Sequence, residues 1–141
     1  MSHYLDTSVM VALLLQDAHS SKAEAWLIRA RPTFMVSDFC TVEFAAVVSR
    51  RVRTNQLTTE TANLALRRFD DWLSRTVQIV RCAPEQLALA GQIVRDFTSK
   101  LSAPDAMHLA ITRHSGATLA TFDDRLAEAA RRHAVPVMIP D

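Results

Sequence analysis

The chain has 141 residues, 49% hydrophobic and 22% charged, with a formal net charge of +1. That length suits one domain over residues 1–141, because two halves would each bury too little surface for a secure core. Only two Gly and five Pro are present, which excludes a fibrous or disordered chain, and the near-zero charge excludes a global basic field for nucleic acid.

The elements follow in chain order. A first strand covers His3-Tyr4-Leu5 and ends at Asp6, and Thr7 or Ser8 can cap a short helix over Val9–Leu15. Ser21 and Glu24 have capping-box spacing for a second helix that carries Trp26, Leu27 and Ile28. Pro32 breaks the chain before a strand over Thr33–Val36, and helices are predicted for Asp38–Arg53 and Thr58–Ser74. The second of these places Leu64, Leu66, Phe69, Trp72 and Leu73 at roughly helical spacing. Val77–Val80 alternates like a strand. Pro84 opens a helix to Thr98, and Pro104 opens another to His114 that Gly116 ends. Ala117–Thr121 is a strand, Asp123–His133 a helix, and Val135–Ile139 a fifth strand.

Strands alternating with helices predict a three-layer α/β/α sandwich around a mainly parallel five-stranded sheet. In such folds ligands gather outside the carboxyl ends of the strands. Asp6 and Asp123 stand just past the first and fourth strands, although either could serve only as a helix N-cap. Asp105 follows Pro104 in the first turn of its helix, where negative charge complements the dipole. Glu43 falls within a stripe formed by Phe39, Val42, Ala46 and Val47. A carboxylate facing a core must be paired, protonated or bound to a cation. A salt bridge to Arg50 or Arg53 is the plain alternative. If the four acids converge, each ionised pair at ~4 Å costs about 4 kcal/mol at an effective dielectric of about 20. An oxygen-rich cluster of that kind suits Mg²⁺ or Mn²⁺.

Of the 16 basic residues all but Lys22 and Lys100 are Arg, the side chain that grips phosphate with a planar fork. Arg50, Arg51, Arg53 and Arg125 are candidates to touch backbone phosphates, with exposed solubilising charge as the alternative. His108, one turn after Asp105, reads as structural rather than as a metal ligand. Cys40 and Cys82 read as small buried hydrophobes in a reducing compartment. The start MSHYLDTSVM lacks the features of a secretory leader, and no apolar run nears the ~20 residues that span a bilayer. The chain thus reads as cytoplasmic, with no membrane partner. No phosphate-binding Gly loop, dinucleotide fingerprint or nucleophile elbow is present.

Tyr4-Leu5-Asp6-Thr7-Ser8, Ser37-Asp38 with Val42-Glu43, Leu101–Ala110 around Pro104-Asp105-Ala106, and Leu119-Ala120-Thr121-Phe122-Asp123 together resemble a PIN domain of the VapC-type toxin family. The resemblance covers nearly the whole chain. It implies an endoribonuclease that hydrolyses RNA phosphodiester bonds with Mg²⁺ or Mn²⁺ and inhibits translation, its substrate a tRNA or rRNA. Asp6, Glu43 and Asp105 would be the core metal ligands and Asp123 would complete the set, though Asp124 beside it is a rival. Ser8 and Thr121 match positions that orient ligands or water. The partner implied is a small antitoxin. The apolar segments Val9–Leu15, Ala23–Ile28 and Leu64–Leu73 predict a homodimer with a groove for an antitoxin helix, assembling to a heterotetramer or larger. The alternatives are a non-toxin PIN nuclease and a catalytically idle PIN scaffold that binds RNA or protein; the hallmark of the latter, a missing acid, is not seen.

Overall fold

The computed structural model describes residues 1–31 and 33–141, so the break expected at Pro32 lies outside the described residues. The strands are β1 (Ser2–Leu5), β2 (Thr33–Ser37), β3 (Val77–Val80), β4 (Thr118–Ala120) and β5 (Val137–Met138). The helices are α1 (Thr7–Leu14), α2 (Ser20–Ala30), α3 (Asp38–Arg53), α4 (Thr59–Thr76), α5 (Pro84–Val94), α6 (Ala103–Ser115) and α7 (Asp124–Arg132). The strands form one sheet in the order β3-β2-β1-β4-β5, and every pairing is parallel. No helix among the described residues is long and apolar enough to cross a membrane.

A central parallel strand is buried on both faces, so its residues are apolar without alternation. The second half of β1 follows this rule: Leu5 packs into one core with Trp26, Phe34, Phe44 and Phe69, while Tyr4 packs into the other with Leu109, Ile111 and Leu119. The first core lies under α1 to α4 and the second under α5 to α7. α6 is buried without a break from Ala106 to Thr112. It starts with Ser102 as N-cap and Pro in its first turn, and it ends at Gly116, whose φ of 66° is the left-handed conformation a helix C-terminus favours.

Several local expectations are corrected. Asp6, not Thr7 or Ser8, caps α1, accepting from the Val9 amide. α2 begins at Ser20 with His19 as an N-cap that makes no side-chain bond, so the Ser21/Glu24 box does not form; the Ser20 hydroxyl instead donates to the Leu15 carbonyl. α5 stops at Val94 rather than Thr98, because Asp96 turns the chain by accepting from the Thr98 amide and hydroxyl.

The core face of α3 is Cys40, Phe44 and Val48, one position round from the stripe read in the sequence. Val42 is 66% exposed, and Glu43 flanks the core face rather than interrupting it. The apolar surplus lies only partly where expected. α1 buries Val9, Met10 and Val11, and α2 buries Ala23 and Trp26. The most exposed apolar side chains past Met1 are Phe97, Ile28, Val42 and Leu87, of which only Ile28 lies in a segment expected to be exposed; Leu64 of α4 also faces out while Phe69 and Leu73 pack. Cys40 is buried and Cys82 only half-buried; both are free.

Candidate functional site

The sheet order departs from chain order at β1, which has β2 on one side and β4 on the other. Successive connections therefore leave β1 and β4 in opposite directions and open a crevice past their carboxyl ends. In that register Leu5 faces Ala120, so the residues that follow, Asp6 and Thr121, meet at the crevice floor. The Asp6 amide donates to the Ala120 carbonyl at 3.2 Å, extending the pairing one residue beyond β1.

Asp6 is only 3% exposed, yet both its carboxylate oxygens are occupied. Ser8 Oγ donates to Oδ1 at 2.6 Å and the Val9 amide donates to the same atom at 3.1 Å. Thr121 Oγ1 donates to Oδ2 at 2.5 Å. The two hydroxyls in turn accept the backbone amides of Phe122 and Asp123, both at 2.9 Å. Ser8 and Thr121 thus fix Asp6 and the turn that carries Asp123 in one network. Burial lifts the Asp6 carboxyl above its ordinary value, against the nearby His108 and these hydrogen bonds.

Asp6, Glu43, Asp105 and Asp123 line one cleft of about 490 Å³. They come from the end of β1, from α3, from the first turn of α6 and from the turn before α7. Asp123 also caps α7, its Oδ1 accepting from the Leu126 amide at 3.0 Å, so the capping role and the cleft position coexist. Asp124 is exposed on α7 and does not line the cleft. Burial raises the Asp105 carboxyl, and the charges of Asp123 and Glu43 add to this, against a hydrogen bond from Ser102 and the His108 imidazole. For Glu43 burial also acts upward, but the bonds from His108 and Thr7 prevail and leave it below its ordinary value.

The partner of Glu43 is therefore not an arginine. His108 Nε2 lies 2.5 Å from Glu43 Oε1, and Thr7 Oγ1 donates to the same oxygen at 2.9 Å. His108 is 3% exposed, and its Nδ1 lies 2.8 Å from the Tyr4 hydroxyl. The sequence reads this histidine only as structural, because a lone His one turn from an acid on a buried helix carries no local sign that it faces Glu43.

Of the cations, Arg50 and Arg51 line the cleft. Arg53 does not; its guanidinium donates to Ser49 Oγ at 2.6 Å on the same helix. Arg125 lines a different hollow of about 340 Å³ with Lys100 and Arg132. Two further residues of the cleft, His19 and Phe122, stack with ring centroids 4.4 Å apart and an interplanar angle of 13°.

All four acids offer oxygen only, the donor type hard divalent ions prefer. No Arg or Lys among the described residues pairs with the buried Asp6 carboxylate, so a cation would relieve an uncompensated charge. As placed, no three acidic, His or Cys side chains among the described residues stand close enough together to grip an ion. Glu43 and Asp123 each have one carboxylate oxygen held, by His108 and Thr7 and by the Leu126 amide, which leaves the second oxygen of each without a side-chain or amide partner among the described residues.

Residues 3–132 match the PIN domain family. The chain belongs to that family. Among solved structures this PIN domain is similar to VapC20 of Mycobacterium tuberculosis, described as a sarcin-ricin loop cleaving toxin. That match has a TM-score of 0.74 and 24% identity over 90% of this chain and 94% of that one. It is also similar to VapBC2 from Rickettsia felis bound to a DNA fragment from its promoter, with a TM-score of 0.70 and 18% identity over 100% of both chains. A toxin–antitoxin complex from Klebsiella pneumoniae matches at 0.68 and 20%, over 99% and 98%. At these identities the likeness is one of fold. Comparison with curated proteins finds no match.

Proposed function

We propose that this PIN domain is a Mg²⁺- or Mn²⁺-dependent endoribonuclease and the toxin of a toxin–antitoxin pair. The observation that carries the reading is the convergence of Asp6, Glu43, Asp105 and Asp123, from four separate elements, on one cleft at the point where the strand order reverses. The similarity in fold to a toxin described as cleaving the sarcin-ricin loop supports it.

In this reading the four acids would hold the ion, which would supply a water of lowered pKa and offset negative charge at the phosphate. Ser8 and Thr121 keep both Asp6 oxygens aimed. Arg50 and Arg51 sit at the cleft wall, where they would grip RNA backbone phosphates. Asp105 and Asp123, less buried than Asp6, reach the solvent from which the attacking water enters, and one carboxylate of the set takes its proton. Hydrolysis by this route leaves 5′-phosphate and 3′-hydroxyl ends.

The antitoxin would occupy the hollow of about 310 Å³ where Leu14, Leu15, Leu57, Leu64 and Ala65 are rimmed by Gln16, Gln56, Arg51 and Arg68, a mixed lining suited to the apolar face of an amphipathic helix and its polar flanks. Arg51 lines both this hollow and the acidic cleft, so a bound helix would touch the catalytic wall. The homodimer would form through Phe39, Val42, Leu87 and Met107, which line an apolar depression joining α3, α5 and α6.

The test is cleavage of tRNA and rRNA fragments by the purified chain. Asp6→Ala and Asp105→Ala should each abolish Mg²⁺- or Mn²⁺-dependent cleavage while far-UV circular dichroism is unchanged, and EDTA should stop the wild type. Undiminished cleavage by either variant overturns the reading.

A further inference from the structure

The two helical layers of the domain meet at the site around His108, which lies against Phe39 of α3, 3.4 Å from Thr7 Oγ1 of α1 and nearest of all to Glu43. Glu43 belongs to α3, which packs with the first core, and His108 belongs to α6, which packs with the second. Between them lies the carboxyl edge of the sheet. His108 Nε2 reaches over that edge to Glu43 Oε1 at 2.5 Å.

The contact is one link of a closed circuit. Tyr4 Oη lies 2.8 Å from His108 Nδ1 and 2.8 Å from Ser37 Oγ. Ser37 is the N-cap of α3, its hydroxyl accepting from the Cys40 amide at 3.0 Å. The circuit leaves α3 at its N-cap, passes through Tyr4 of β1 and His108 of α6, and returns to α3 at Glu43. Nε2 faces a carboxylate oxygen and so carries a hydrogen in either charge state of the ring. Tyr4, which is fully buried, holds the other nitrogen and sets the plane of the imidazole. Both bonds that Glu43 receives, from His108 and from Thr7, end on Oε1. No hydrogen bond holds Oε2 among the described residues.

We infer that His108 is a positioning residue: held by Tyr4, it clamps Oε1 of Glu43 and thereby presents Oε2 to the cleft as a ligand for the divalent ion. The inference rests on the metal-dependent reading above. α6 then serves the site twice, contributing Asp105 directly and controlling Glu43 one turn later. Hydrogen-bond partners that orient metal ligands typically govern 10–100-fold in metal affinity.

The test measures Mn²⁺ affinity by calorimetry without RNA, on the full chain, for variants that divide the two nitrogens. In His108→Asn the side-chain amide reaches the Nδ1 position only, keeping a partner for Tyr4 but losing Glu43. In His108→Gln it reaches the Nε2 position and keeps a donor for Glu43. The expected result is about 10–100-fold weaker Mn²⁺ binding for His108→Asn and substantial recovery for His108→Gln. The loss should also vanish when Glu43→Gln is already present, because the pair acts as a unit. Tyr4→Phe, which removes only the hydroxyl behind the ring, should weaken binding less than His108→Asn and carries the test if that variant does not fold. Wild-type affinity in folded His108→Asn or Tyr4→Phe, or a His108→Asn loss that persists undiminished beside Glu43→Gln, overturns the inference. A wild type that neither binds Mn²⁺ nor cleaves RNA overturns the functional reading, and the inference falls with it.

Discussion

Thr121 Oγ1 donates to Asp6 Oδ2 at 2.5 Å and accepts the Asp123 amide at 2.9 Å, so one hydroxyl ties the residue after β1 to the turn before α7. Thr121 is fully buried, and Val has nearly its shape without the hydroxyl. Thr121→Val should therefore fold while leaving Oδ2 without its donor and the Asp123 amide without its acceptor. Cleavage by Thr121→Val is expected to fall about 10–100-fold, with Thr121→Ser close to wild type. Equal activity of the Val and Ser variants in a single-turnover assay would remove Thr121 from the machinery.

The ion-free chain should become more stable when Asp6 loses its charge. Burial raises the Asp6 carboxyl above 3.8, so the folded state takes up its proton more readily than the unfolded state. The stability linked to this group is complete below the unfolded value and is lost as pH rises through the folded one. At neutral pH the ionised carboxylate thus weakens the ion-free fold, and Asp6→Asn removes that burden. Thermal denaturation in EDTA should give Asp6→Asn the higher Tm at pH 7, with the gap closing as pH is lowered toward the unfolded value. Mg²⁺ should raise the wild-type Tm and leave the variant unmoved. A gap that is constant with pH would rule out the carboxylate charge as its origin.

Asp123 and Asp124 are adjacent in sequence and both exposed, but only the first lines the cleft. Asp123→Asn should lower cleavage by at least about tenfold while preserving much of the cap, since Asn is also a good N-cap. Asp124→Asn should leave cleavage within about twofold. The reverse ranking in a steady-state assay would move the fourth acid one residue along.

Arg50 and Arg51 line the cleft whereas Arg53 is turned onto Ser49. Binding of a single-stranded RNA to the inactive Asp105→Asn chain should weaken in Arg50→Ala and Arg51→Ala. The slope of log affinity against log salt should become shallower by about 0.7 for each lost phosphate contact. Arg53→Ala should change neither. A slope change only in Arg53→Ala would place the RNA on another face of α3.

Burial pushes the Cys40 thiol up to about 12 and that of the less buried Cys82 to about 11. The thiolate is the reactive form, so both should react slowly with Ellman's reagent at pH 8 in the folded chain. Cys82 should react before Cys40, and both should react at once in guanidinium. Fast labelling of Cys40 in the native chain would contradict its burial.

Order and type of the elements were legible in the chain, because buried parallel strands and amphipathic helices leave periodic signals and Pro104 and Gly116 punctuate α6. So was the position of Asp6 and Asp123 past strand ends, a matter of counting along the chain. What Glu43 faces was not legible. The apolar residues near it fit more than one stripe, and the rotation of α3 about its axis is decided by which side chains pack under the sheet; Cys40, Phe44 and Val48 prevailed. With that rotation Glu43 moved to the rim, and its partner became a histidine 65 positions away on the opposite layer. Periodicity reports what one element buries, whereas a contact between layers depends on how two elements are set against each other. That relation is fixed only when both cores close on the sheet, and it is what brings Tyr4, His108 and Glu43 into line.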